Sequence, residues 1–213
     1  RQWEEAVAAH VCVPHAAAVN SGRAGMTQIL KHLGITTGDE VIVPAYTLKD
    51  LIPLIQQLGA TVVPADVDYA TLNVTGDSIA QKITSKTKAV VVLHAFGAPA
   101  PMPDILEHTE KAGIPIIEDC AHALGATLNG KQVGSFGYAG FFSFEMTKPV
   151  NTYGGGMVVS HDSALIEKIQ AEEERKPFDL SGMLKKVDAT KRETLLMRTG
   201  AALPLLLLMT NPA

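Results

Sequence analysis

The chain contains little of several features that would point to a function. It has only two cysteines, Cys12 and Cys120, and no CxxC pair, so neither a disulfide framework nor a zinc knuckle is indicated. It has no dense run of lysine or arginine, and its formal charge of −4 gives no electrostatic basis for nucleic-acid binding. It also lacks the GxGxxG and Walker A glycine patterns. These absences favour small-molecule chemistry in a reducing cytoplasm.

No apolar run is long enough to span a bilayer. The Leu-rich residues 203–209, even with Ala201 and Ala202, are far shorter than the ~20 residues that a transmembrane helix needs. A buried helix is the simpler interpretation, and peripheral membrane contact through residues 195–209 or docking on a partner is the alternative. The chain begins with Arg1 rather than methionine, so we expect a cropped N-terminus.

Short apolar strands alternate with amphipathic helices along most of the chain. Strands are predicted at residues 41–43, 61–64, 89–93, 114–118, 140–144 and 157–160, and helices at residues 3–9, 20–33, 51–58, 78–84 and 103–111. Because the strands are continuously apolar, we expect an α/β fold with a mostly parallel sheet covered on both faces.

The pattern changes after residue 170. A charged run at residues 172–176 is followed by helical segments without strands. We therefore expect a large domain at residues 1–176. Residues 177–213 are expected to be a helical, apolar-ended segment that begins an incomplete C-terminal region.

Two residues with catalytic chemistry follow predicted strands. Asp119 ends one strand, and Lys148 lies just after an aromatic strand. Active sites of parallel sheets lie at the carboxyl ends of strands, so we expect both residues, together with His94, on one rim. An amine there can hold an aldehyde cofactor as a Schiff base, and a buried carboxylate can keep a pyridine nitrogen protonated. This pair predicts a pyridoxal phosphate (PLP) enzyme.

Two further patterns are less specific. The small residues at 20–26 open a helix whose free N–H groups can bind a phosphate, although such residues are also common as plain helix caps. Asp119, Cys120 and His122 carry metal-ligand atoms, but at one strand end these side chains diverge and no second ligand cluster lies nearby in the sequence. No metal is therefore expected.

Together these segments resemble the DegT/DnrJ/EryC1/StrS family of sugar aminotransferases from about residue 3 to residue 170. The matching stretches are residues 20–22, 38–44, 58–61, 84–89, 118–126 and 142–148. The resemblance implies the fold-type I architecture, a three-layer PLP-binding large domain. It also implies a homodimer and a small C-terminal domain that this chain lacks, so we expect the C-terminal part to be missing.

The resemblance assigns roles to individual residues. Lys148 matches the Schiff-base lysine, which also moves the proton during the reaction. Asp119 matches the partner of the pyridine nitrogen, and His122 matches a position beside the ring and phosphate. Ser143 matches a hydroxyl that contacts the phosphate.

The resemblance also places the phosphate at the start of a helix, with two departures from the family pattern. Gly22 and the backbone N–H groups of Arg23 and Ala24 match the phosphate cradle. The family usually has threonine where Arg23 stands, so that side chain either contacts the phosphate or points to solvent. Leu48 stands where an aromatic residue commonly stacks on the cofactor, and it offers apolar contact without a π face.

The implied function is a PLP-dependent aminotransferase of polysaccharide biosynthesis. It would move an amino group from an amino acid, expected to be glutamate, to a keto-sugar, expected to be nucleotide-linked. Lys148 argues against the sugar dehydration of relatives with histidine at this position. One alternative is a noncatalytic remnant or regulatory binding module, and another is a membrane-peripheral enzyme acting on lipid-linked sugars. We expect the fragment alone to be inactive.

Overall fold

The structure is a computed structural model that describes residues 1–177 and 180–198. Its strands are β1 (His15–Val19), β2 (Glu40–Pro44), β3 (Thr61–Ala65), β4 (Thr87–Leu93), β5 (Ile116–Asp119), β6 (Thr127–Leu128), β7 (Lys131–Gln132), β8 (Ala139–Ser143) and β9 (Gly156–Ser160). Its α-helices are α1 (Gln2–Val11), α2 (Gly22–His32), α3 (Ile52–Gln56), α4 (Gly76–Ala80), α5 (Met102–Lys111), α6 (Ser163–Glu174) and α7 (Leu180–Arg198). Short 3₁₀ turns occur at Lys49–Leu51 and Ala95–Gly97.

Seven strands form one sheet in the order β1-β9-β8-β5-β4-β2-β3. The five strands from β8 to β3 are parallel to their neighbours, whereas β9 runs antiparallel to both β1 and β8. The strands β6 and β7 form a separate hairpin. The predicted α/β fold with a mostly parallel sheet is confirmed.

Helices cover both faces of this sheet, which gives three layers. On one face α2, α3 and α6 bury residues such as Met26 and Ile55 in the same cluster as Val91. On the other face α4 and α5 bury residues such as Ile105 in the same cluster as Val90. Adjacent strand residues point to opposite faces, so Val90 and Val91 are both buried. This explains the continuously apolar strands in the sequence.

Several elements differ from the sequence-based expectations: the hairpin of β6 and β7 was not predicted, and the helix expected at residues 78–84 ends at Ala80. The strand β1 falls outside the predicted strands because its three consecutive alanines have low strand preference, and pairing of all five residues with β9 makes it a strand. The helix α4 begins at Gly76 rather than near Ser78. Thr75 caps it there, since the Thr75 hydroxyl accepts the N–H of Ser78 and the Ser78 hydroxyl accepts the N–H of Thr75.

The chain divides after Arg175 into two compact units, and the second unit contains α7. The Leu-rich residues 203–209 lie outside the described residues, so burial or membrane contact of that segment stays a prediction. Within residues 1–177 and 180–198, no helix is both long enough and apolar enough to cross a membrane.

The helix α2 lies close to the sheet because it carries glycine at the contact. A Cβ atom at Gly25 would lie 2.7 Å from Cγ2 of Val158 on β9, closer than carbon atoms pack. A Cβ atom at Gly22 would lie 3.2 Å from the carbonyl oxygen of Phe142. These contacts place the N-terminus of α2 at the carboxyl end of β8.

Replacing Gly25 with alanine should destabilise the fold. The added methyl group overpacks a buried contact, and the better helix preference of alanine offsets only part of the cost, so we expect a loss of about 1–2 kcal/mol. Urea unfolding of Gly25→Ala measures this loss. Lys31→Ala, on the exposed side of the same helix, is the control and should stay within about 0.5 kcal/mol of wild type. An equally stable Gly25→Ala protein would contradict the close approach.

Candidate active site

The carboxyl ends of three neighbouring parallel strands form one rim. β4, β5 and β8 lie side by side, β5 ends at Asp119 and β8 ends at Ser143. Lys148 follows β8 in a turn in which its N–H donates to the carbonyl of Glu145 at 2.9 Å. The sheet topology therefore brings together residues that are far apart in the sequence.

Two neighbouring cavities open on this rim, with volumes of about 190 Å³ and about 260 Å³. Both are lined by Leu48, Asp119, Ala121 and Lys148. The smaller cavity adds Ser21, Gly22, Arg23, Leu51, Phe141, Ser143 and Glu145, and the larger adds Tyr46, Thr47, Leu93, Ala95, Phe96 and His122. A hollow of about 400 Å³ between α1 and α6 lacks these groups, so chemistry rather than size identifies the candidate site.

Asp119 is a buried carboxyl group, with only 4% of its surface exposed. Its Oδ1 accepts a hydrogen bond from the N–H of Ala121 at 3.0 Å. Burial raises the pKa of Asp119 to about 6, against the smaller lowering effects of that hydrogen bond and of the His94 and Lys148 charges. The hydrogen bond and the nearby charges thus offset only part of the cost of ionising Asp119. An additional cation close to this carboxylate would stabilise it.

Lys148 and His122 are in direct contact. The Nζ atom of Lys148 lies 2.6 Å from Nε2 of His122. Burial lowers the pKa of Lys148, and the negative charges of Asp119 and Glu145 partly oppose this. Burial, and then the Lys148 charge, lowers the pKa of His122. The lysine is therefore easier to deprotonate than an exposed one, as a nucleophilic amine requires.

Polar groups at the start of α2 also line the smaller cavity. Ser21, Gly22, Arg23 and Ser143 all line it. The Ser21 hydroxyl caps the helix by accepting the N–H of Ala24 at 3.2 Å, and Ala24 lines neither cavity. The sequence predicts that the N–H groups of Arg23 and Ala24 bind a phosphate. In the structure the N–H group of Ala24 already donates to the helix cap.

The Arg23 side chain is paired with an acid. Its Nη1 donates to Oδ2 of Asp50 at 2.6 Å, and both side chains are about half exposed. Asp50 follows Leu48, which is 53% exposed and reaches both cavities. The pair joins the start of α2 to the segment that carries Leu48.

The structure changes two assignments on the rim. His94 was expected there, but it is completely buried and lines neither cavity. Phe96 was not singled out from the sequence, yet it lines the larger cavity and stacks on His122 with ring centroids 6.3 Å apart. The signal for Phe96 was its place just after the predicted strand at residues 89–93.

His94, Glu118 and Cys120 form a buried group in which one ligand atom from each lies within 4.8 Å of the others. Glu118 accepts backbone N–H groups on both oxygens, and its Oε2 lies 3.0 Å from Nε2 of His94. The other ring nitrogen of His94 accepts the N–H of Ala100 at 3.1 Å. Burial raises the pKa of Cys120, which disfavours the thiolate that binds metals. His94 and Glu118 thus link several backbone segments of the fold through hydrogen bonds.

The loop that carries Lys148 is fixed at both ends. At its base, the N–H of Phe144 donates to the carbonyl of Gly155 at 3.0 Å. Gly155 forms a bridge with Ser21, and a Cβ atom on Gly156 would lie 2.6 Å from the backbone nitrogen of Gly22. The amine-bearing loop and the start of α2 therefore share one anchoring point.

Comparison with known proteins decides the family. Residues 1–198 match the DegT/DnrJ/EryC1/StrS aminotransferase family. The chain belongs to this family. It is 38% identical over 167 residues to GDP-perosamine synthase from Vibrio cholerae and 42% identical over 171 residues to UDP-N-acetyl-3-dehydro-alpha-D-glucosamine 3-aminotransferase from Acidithiobacillus ferrooxidans. These matches cover 78% and 80% of the chain but only 46% of each relative, so the chain spans about half the length of the relatives it matches.

Solved structures of aminotransferases share this fold over the matched part of the chain. An aminotransferase from Psychrobacter cryohalolentis is 41% identical with a TM-score of 0.78, over 80% of this chain and 44% of that one. The PLP form of Spr1654 from Streptococcus pneumoniae is 30% identical with a TM-score of 0.74, over 80% of this chain and 48% of that one. The expected family is thus confirmed, and PLP is the cofactor of the family.

The residues present fit this cofactor. The incompletely compensated carboxyl group of Asp119 is suited to a protonated ring nitrogen, and it lines the same two cavities as the Lys148 amine. The start of α2 supplies a positive field for a phosphate. The roles of Gly22, Ser143, Leu48, His122 and the other assigned residues in binding it stay predictions.

The buried Asp119 should reduce stability at neutral pH when no cofactor is present. Its pKa in the folded protein, about 6, lies above the ordinary 3.8, so its ionisation costs free energy as the pH rises through this window. Asp119→Asn should raise the free energy of unfolding by about 2–3 kcal/mol at pH 7, and this gain should vanish towards pH 4.

Urea unfolding of the cofactor-free protein from pH 4 to pH 8 measures this difference. Asp66→Asn, at an exposed position, serves as the control and should stay within about 0.5 kcal/mol. A destabilising effect of Asp119→Asn at pH 7 would contradict the conclusion that the negative charge of Asp119 is incompletely compensated.

Proposed function

We propose that the full-length protein is a PLP-dependent aminotransferase that transfers an amino group from an amino acid, glutamate, to a nucleotide-linked keto-sugar. The observation that carries this proposal is that Lys148 and Asp119 line the same two cavities. The names of the relatives support a sugar acceptor, because the two described above are a GDP-perosamine synthase and a UDP-sugar aminotransferase.

Each residue has a step that suits its position. When bound, PLP supplies an electron-withdrawing ring that stabilises negative charge on the substrate carbon. Lys148 would hold the cofactor through Nζ, and its amine would also move the proton on the substrate carbon. Asp119 would supply the negative charge that keeps the ring nitrogen protonated, and Ser143 and Arg23 would hold the phosphate. Leu48 would supply an apolar contact for the ring.

The surroundings of the site support a homodimer in the cytoplasm. Tyr46, Leu48, Phe96, Met146 and Tyr153 are large apolar side chains that are at least 38% exposed near the strand ends, where a second protomer or the rest of the chain could cover them. Both cysteines are free thiols, which suits a reducing compartment.

Lys148→Ala should abolish covalent capture of PLP. Adding PLP to full-length protein should produce the near-visible absorption band of a lysine-bound cofactor, and borohydride should fix the label on the peptide that contains Lys148. The variant should show neither signal, because no other amine of the site is placed to replace it. Lys168→Ala, on the exposed side of α6, is the control and should label like wild type. A band that survives Lys148→Ala would remove the proposal.

The amino donor and acceptor can be tested in separate half-reactions. PLP-loaded full-length protein mixed with glutamate should release one 2-oxoglutarate per site, and the aminated protein should then convert a nucleotide-linked keto-sugar to its amino form. Mass spectrometry follows both products. The free keto-sugar is the matched control and should react at least tenfold more slowly, because it lacks the binding energy of the nucleotide. Capture of PLP without any amino exchange would instead support a noncatalytic binding module.

A further inference from the structure

Phe96 combines a strained backbone with high exposure. Its φ of 52° and ψ of 26° lie in the left-handed region, which is unfavourable for a bulky residue. Its side chain is 67% exposed, so core packing does not offset this cost. Strained residues of this kind are commonly kept where the local geometry serves a function.

The strained turn places the Phe96 ring against His122. The two rings are nearly parallel, with an interplanar angle of 17° and centroids 6.3 Å apart. The ring of Tyr46 also lies near Phe96, with ring centroids 6.1 Å apart. The next residue, Gly97, also packs against His122, since a Cβ atom there would lie 3.0 Å from the His122 carbonyl oxygen. The 95–97 turn thus forms a wall beside the imidazole.

The edge of the same imidazole faces the reactive amine. Its Nε2 lies 2.6 Å from Nζ of Lys148, and a rotation of the ring would break this contact. An exposed imidazole without a neighbour would sample several rotamers. The stacked ring of Phe96 restricts this movement.

We propose that Phe96 is a positioning residue that holds the His122 imidazole with Nε2 towards Lys148, so that the amine has a proton acceptor within the cavity. The inference rests on the proposed function in one respect, the use of Lys148 to take the cofactor. It assigns Phe96 no contact with the reacting atoms.

The charges around the pair determine where its proton lies at rest. Two cations 2.6 Å apart would repel each other, so the pair carries a single positive charge. The anionic groups near Lys148 are Asp119 and Glu145, and they hold that charge on the lysine at rest. For capture, an Nζ–H bond of the ammonium breaks and an Nε2–H bond on His122 forms, which leaves a lone pair on Nζ.

The first test observes His122 directly in cofactor-free, full-length protein. Histidine ¹⁵N NMR should show Nε2 of His122 as an unprotonated acceptor, with His122→Gln identifying the signal. Phe96→Gly should shift the ring towards a mixture of tautomers and raise the pKa of His122, because the imidazole loses its cover. Phe96→Tyr should keep the wild-type signal.

The second test separates positioning from stability. Phe96→Gly should slow PLP capture by Lys148 at pH 7 by about three- to tenfold, equivalent to less than one pKa unit. Its thermal midpoint should be unchanged or higher, because glycine adopts the left-handed conformation without strain. In a His122→Gln background, Phe96→Gly should have no further effect on the capture rate.

The outcomes keep the two proposals distinct. An unchanged His122 spectrum in Phe96→Gly would overturn the positioning role, even if PLP is captured normally. An equal slowing of capture with and without His122 would overturn it too, and so would a thermal midpoint that falls together with the capture rate. If wild-type protein captured no PLP, the proposed function would fail, while the NMR comparison would still decide the role of Phe96.

Discussion

The buried Glu118 carboxylate is the interaction on which the site depends. It accepts N–H groups from Gly134, Phe136 and Gly137, and it contacts His94. A buried charge persists in a fold when several hydrogen bonds of this kind surround it. Because alternate residues of a strand face opposite sides, fixing Glu118 on one side of β5 also fixes Asp119 on the other. The orientation of the Asp119 carboxyl group is thus set by the hydrogen bonds of the adjacent Glu118.

The candidate site contains an acid and an amine, Asp119 and Lys148, whose pKa values are brought closer together by burial. The pKa of Asp119 is raised and that of Lys148 is lowered, both mainly by loss of water. A cationic group of a ligand beside Asp119 would relieve the cost of ionising this buried carboxyl group. An anionic group of the same ligand suits the start of α2 beside Arg23. This distribution of charges is consistent with the proposed binding of a heterocycle that carries a cation and an anion.

Sequence was most informative where chemistry and strand position coincide. Lys148 and Asp119 were identified because strand ends in parallel sheets share a rim, and the sheet order brings them to common cavities. The same rule does not give the direction of a side chain. His94 follows a strand end as expected, but its imidazole is buried in the fold, where it contacts Glu118. Phe96 was missed because its left-handed backbone and stacking depend on tertiary contacts. The Ala-rich β1 lacked strand preference and owes its conformation to β9.

The reversed strand β9 has a mechanical consequence for the Lys148 loop. Because β9 returns antiparallel to β8, the loop leaves and re-enters the sheet at one place, where Gly155 and Gly156 abut the start of α2. The length of the loop between β8 and β9 therefore sets the distance between Nζ of Lys148 and the start of α2. A residue inserted or deleted in this loop would change that distance while leaving the sheet intact.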